Sequence, residues 1–137
     1  MNTYITKVCL LVLIVSMSLA GCGTMQTFSG NQLPASETAL VKGSGIFPFK
    51  DICITSVDKE SLGLTNSKAV LLPGSHLITI HLYQSYGIID FTADGALILN
   101  AQAGHEYAVQ GERSNGKVYF WIEDTKTAEI VSGKKPE

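Results

Sequence analysis

A chain of 137 residues is the size of one ordinary domain. It is 45% apolar and 16% charged, with a formal net charge of −2. That balance excludes the basic footprint of a nucleic-acid binder and the cationic face that anionic lipid requires.

Met1–Lys7 is short and polar, with Lys7 and the amino terminus as its positive charges. Val8–Leu19 is apolar except for Ser16 and Ser18. About a dozen such residues match the h-region of a secretion signal. They fall short of the roughly 20 needed to cross a bilayer. A basic start before an apolar run at the extreme N-terminus also argues against a buried core helix. Leu19-Ala20-Gly21-Cys22 follows: an aliphatic residue, two small residues and a cysteine. This motif resembles the lipobox of bacterial lipoproteins, and the resemblance covers the leader as far as Cys22.

The resemblance implies a signal peptide over 1–21, cleaved between Gly21 and Cys22. It also implies a diacylglycerol in thioether linkage on the Cys22 sulfur and a further acyl chain, such as palmitate, on the new amino group. Two or more acyl chains hold a protein stably at a membrane. Gly23 stands where Asp retains Gram-negative members of that family in the inner membrane. The expected location is therefore the cell envelope, at the periplasmic face of the outer membrane, with the covalent lipid and no other cofactor. Cleavage would remove one Lys and no acid, leaving the mature chain slightly more acidic. Cys9 would be lost and Cys22 acylated, so Cys53 would be the sole thiol, with no intramolecular disulfide possible. Such a cysteine is either buried or available for an intermolecular bond.

Residues 22–36 are small and polar, punctuated by Gly30 and Pro34, and read as a flexible tether. Residues 37–137 read as one domain built of strands. Ala39–Lys42 is a short candidate and Ile52–Val57 the next, with room for a single helical turn over 55–64. Lys68–Leu72 stops at Pro73-Gly74. His76–Tyr83 alternates strictly, with Ile78, Ile80 and Leu82 on one face. Asp90–Asp94 reads as a loop. Ala96–Ala101, the run around Tyr107 and Val109, Lys117–Glu123 and Ala128–Val131 complete the set. Turns are expected at Asp94-Gly95 and at Asn115-Gly116, the latter a hairpin signal. About seven short strands spaced by turns predict an all-β fold, a single small antiparallel β-sandwich.

Leu72-Pro73-Gly74-Ser75-His76, Ala103-Gly104-His105-Glu106-Tyr107 and Trp121-Ile122-Glu123-Asp124 resemble turns and strand starts of small bacterial lipoproteins with a transthyretin-like or immunoglobulin-like sandwich. That resemblance spans Val57–Val131 and carries no catalytic residue across.

Catalytic and metal chemistry finds little purchase in the pattern. His76 and His81 are five apart on one strand and face opposite sides. His105 lies by a separate turn, and no metal-ligand spacing is present. Ser132-Gly133-Lys134-Lys135 matches a nucleophile motif only formally, in a chain end. Gly43-Ser44-Gly45 lacks the helix and Lys of a phosphate loop. Cys53 has no His nearby in sequence. Asp90 and Asp94 lack the ligand spacing of a calcium loop and read as solvated acids. No catalytic and no metal site is therefore expected. In Val118-Tyr119-Phe120-Trp121-Ile122, alternation sends Tyr119 and Trp121 away from the core face. Those two, with Tyr83, form the candidate partner surface, unless a loop or the tether covers them.

Three classes of function follow. The first is a non-enzymatic, membrane-anchored interaction or structural module that docks an envelope protein. The second is a small-ligand or cell-wall binding module. The third, a hydrolase, is disfavoured by the missing acid–base set. A deep cavity would favour the second class and an exposed aromatic patch the first.

Overall fold

The structure, a computed structural model, describes residues 24–46, 49–63 and 67–137. Gly21 and Cys22, the expected cleavage and lipid sites, lie outside the described residues. Eleven strands form among those described: β1 Thr24–Gln26, β2 Ala39–Lys42, β3 Ser44–Ile46, β4 Lys50–Val57, β5 Glu60–Ser61, β6 Lys68–Leu71, β7 Gly74–Ser85, β8 Asp90–Ala101, β9 Glu106–Ser114, β10 Lys117–Asp124 and β11 Ile130–Gly133. One sheet has the order β1-β6-β2-β9-β10-β11 and the other β3-β4-β7-β8, with β5 beside β4. The fold is all-β, two sheets packed face to face. Most pairs are antiparallel, but β1 runs parallel to β6, and β2 parallel to β9.

Alternation builds the core. Val41, Ala69, Leu71, Tyr107, Val109 and Ile122 of the first sheet meet Ile52, Ile54, Ile78, Ile80, Leu82 and Leu99 of the second. A bulge between Ile54 and Ser56 inserts one extra residue into β4, which turns Val57 back to the core face after Ile54. The Phe120 ring enters between the sheets against two glycines. A Cβ on Gly111 would lie 3.0 Å from that ring, and one on Gly95 would collide with it.

Several expectations change. Asp90–Asp94 is the first half of β8, and Asp94-Gly95 continues the strand. Gly95 is there for the close approach of Phe120, not for a turn. Among the described residues after Thr55, no helical turn forms. Asp58 and Lys59, at φ 51° and 73°, make the tight turn from β4 to β5. Asn115-Gly116 does make a hairpin, with φ 51° and 76° and Lys117 opposite Ser114.

The expected tether is also partly ordered onto the sandwich. Thr24, Met25 and Gln26 pair with Lys68, Ala69 and Val70. Met25 packs against the core cluster. The Thr27 N–H and Oγ1 both donate to the Val70 carbonyl, at 3.1 and 3.0 Å. A turn closed by Glu37 N–H on the Pro34 carbonyl then leads to β2.

Candidate functional site

The outward-facing side chains of β1, β2, β6 and β9 lie under the segment that joins β1 to β2. Between them is a half-open cavity of 560 Å³. Leu40, Lys68, Val70 and Glu106 form its floor, and Thr24 and Gln26 of β1 its flank. Gln32, Leu33 and Ala35 of the crossing segment close over it, while Gly104, His105 and Lys126 stand at one end. The size lies within the range typical of small-molecule sites.

That end is held by a network. His105 Nδ1 lies 2.5 Å from Asp124 Oδ2. The other oxygen, Oδ1, accepts the Lys126 N–H at 2.8 Å. His105 first, and the N–H groups of Lys126 and Thr127 after it, hold the buried Asp124 carboxyl below its ordinary value, against the opposing effect of burial. Lys126 Nζ donates to the Gly104 carbonyl at 2.7 Å, and the His105 ring stacks on Tyr107. On the floor, Glu106 is paired with Lys42. The Gly104 N–H donates to the Thr38 carbonyl and the Leu40 N–H to the His105 carbonyl, which pins the crossing segment to this turn. Lys68, Lys126 and the carboxylate of Glu106 thus rim a space lined by Leu33, Leu40 and Val70. Such a space suits a ligand with an apolar body and a polar or charged end.

Every histidine has an aspartate on Nδ1. His76 Nδ1 lies 2.7 Å from Asp58 Oδ2, and its Nε2 lies 2.7 Å from the Leu72 carbonyl. Burial acts to raise the Asp58 carboxyl, but the Leu77 N–H and His76 outweigh it and the value is lowered. His81 Nδ1 lies 2.7 Å from Asp94 Oδ1 on the outer face of the second sheet. There the register sets Cys53 opposite His81 and His81 opposite Asp94. These are the residue types of a nucleophilic triad. However, the half-buried Cys53 thiol donates to the His81 carbonyl at 3.7 Å. Burial, and then the Asp51 charge, push the thiol above its ordinary value, which disfavours the thiolate. Among the described residues, no three His, Cys, Asp or Glu gather as metal ligands.

The candidate partner surface does not form as expected. Trp121 is only 5% exposed. β11 lies alongside it, with Gly133 opposite, and Lys135 Nζ sits 5.8 Å from the ring centroid. The chain's own C-terminal segment therefore covers the face that alternation left open. Tyr119 and Tyr83 are half-buried on opposite outer faces, one on each sheet, so they share no patch.

The cavity was not legible in the sequence, because its parts come from segments as far apart as Thr24 and Lys126. His105 and Asp124 meet only because β9 pairs with β10 in a register that sets Tyr107 opposite Asp124. Comparison with known protein families, curated proteins and solved structures finds no match to this chain.

Proposed function

We propose that this is a lipid-anchored protein of the bacterial envelope, non-enzymatic, whose sandwich is a binding module held against the periplasmic face of the outer membrane. The anchor reading rests on Leu19-Ala20-Gly21-Cys22 behind an apolar leader. The binding reading rests on one observation, the cavity of 560 Å³ between the crossing segment and the first sheet. Its mixed lining favours a small ligand with an apolar body and a charged end. The same cavity could also take a protruding side chain of an envelope protein, the interaction reading. Burial of Trp121 removes the aromatic patch on which that reading first stood.

Native mass spectrometry of the protein extracted from its host membrane tests this, with Leu40→Trp as a variant that fills the cavity floor. A small bound mass present in the wild type and absent from the variant supports the ligand reading. A protein companion lost in the variant supports the interaction reading. A wild type that carries neither, at matched extraction, overturns the cavity as a binding site.

A further inference from the structure

One end of the sandwich carries a concentration of exposed apolar side chains. Ile88 is 98% exposed, Phe49 68%, Ile89 64% and Tyr86 55%. They belong to two adjoining loops, bonded at their base. The Ser85 N–H donates to the Phe49 carbonyl at 2.8 Å, and the Tyr86 N–H to the Ile89 carbonyl at 2.9 Å. The tip stands on the twelve-residue strands β7 and β8, so it is presented rigidly. Four large apolar side chains exposed on adjoining loops call for an occupant.

The path of the chain identifies one. β1 is parallel to β6, with Thr24 opposite Lys68. β6 is antiparallel to β2, with Lys68 opposite Lys42. Backward along the chain from Thr24 is therefore forward along β2 from Lys42, through Gly43 into β3 and towards the β3–β4 turn. Ile46 of β3 pairs with Lys50, and Lys50 with Gln84. The chain thus enters the sandwich from the side on which Phe49, Tyr86, Ile88 and Ile89 project. Cys22 is two residues before Thr24, a reach of about 7 Å. Ile46 is four residues on from Lys42, which carries the tip side about 13 Å beyond the Thr24 row. A bilayer that holds a lipid on Cys22 must then meet the overhanging end.

We infer that Phe49, Tyr86, Ile88 and Ile89 insert into the interfacial layer of the bilayer that anchors Cys22, so that the domain is oriented on the membrane as well as tied to it. The inference rests on the anchor reading above. Branched aliphatic side chains with an aromatic ring and a tyrosine are suited to that layer. Lys50, Arg113 and Lys117 lie at the same end of the sheets as the tip, and so do Asp51, Asp90 and Glu112. Apolar area, not net charge, drives the insertion, and salt has little effect on it.

The test uses the full-length protein, matured in its host and reconstituted into phosphatidylcholine vesicles. Cys53→Ser removes the spare thiol, and Ile88→Cys or, at the opposite end, Thr127→Cys takes an environment-sensitive fluorophore. Nitroxide-bearing lipids should quench the label at 88 at least twofold more than the label at 127, in low and high salt alike. The mass of the peptide containing Cys22 is read on the same sample. An unmodified Cys22 overturns the anchor reading and this inference with it. A lipidated Cys22 with the label at 88 no more quenched than that at 127 overturns the inserted tip alone. If the label at 88 is then shielded in native membranes, the occupant is a protein partner.

Discussion

Asp124 closes β10 by accepting from His105, 19 residues earlier in the chain, at 2.5 Å. The folded-state carboxyl titrates below the ordinary aspartate value of 3.8. The unfolded chain therefore binds the proton first. The contribution is complete above that value and is lost as pH falls through the lower, folded one. Asp58 beside His76 acts in the same sense. Melting temperatures followed from neutral pH to about 2.5 should show the wild type falling steeply below pH about 4. Asp124→Asn should start lower at neutral pH and fall less steeply. Parallel curves would refute the assignment.

Trp121 is a stability residue. Truncating a buried aromatic costs about 3 kcal/mol or more. Trp121→Ala should lower the urea midpoint accordingly. Its Nε1 is buried without a hydrogen-bond partner among the described residues. Trp121→Phe keeps most of the apolar contact and removes that unsatisfied donor, so it should cost about 1 kcal/mol or less. A Trp121→Ala midpoint no lower than that of Trp121→Phe would refute burial of the ring as the source of stability here.

Gly95 and Phe120 should behave as a coupled pair. A methyl group at 95 collides with the ring. Gly95→Ala should cost about 1–3 kcal/mol through overpacking. Phe120→Leu should cost about 1 kcal/mol alone, and the double variant less than the sum. Additive losses in chemical denaturation would place the strain elsewhere.

Met25 is the apolar anchor of β1. Met25→Asp should release that strand while sparing the two-sheet core. Limited proteolysis should then cut within 27–33 at least tenfold faster, since detaching β1 requires only about 1.4 kcal/mol of lost docking energy for each factor of ten. Amide protons of β7 should exchange at the unchanged rate. Loss of protection in β7 would show that β1 is integral to the core.

Strands whose period-two alternation survives in a single stretch were legible. His76–Tyr83 lies wholly within β7, and Ala39–Lys42 coincides with β2. The first half of β8 was not, because Asp90, Thr92 and Asp94 face solvent and Gly95 mimics a turn. β1, at three residues, is too short for periodicity to register, and its one apolar residue is Met25. The burial of Trp121 depends on where β11 returns. The cavity depends on the crossing segment closing over four strands. Both are long-range consequences of register that no local pattern encodes.

The pairing of Thr24 with Lys68 also fixes how the molecule responds to force. A pull on the chain before Thr24 that is directed along β1 shears the strand against β6 instead of peeling it bond by bond. All its ladder bonds resist together, and the two Thr27 contacts to the Val70 carbonyl extend the grip past the strand's end. Tension arriving at the N-terminus is therefore borne at the sheet edge, and the packed layers behind it need not yield until that short clasp has slipped.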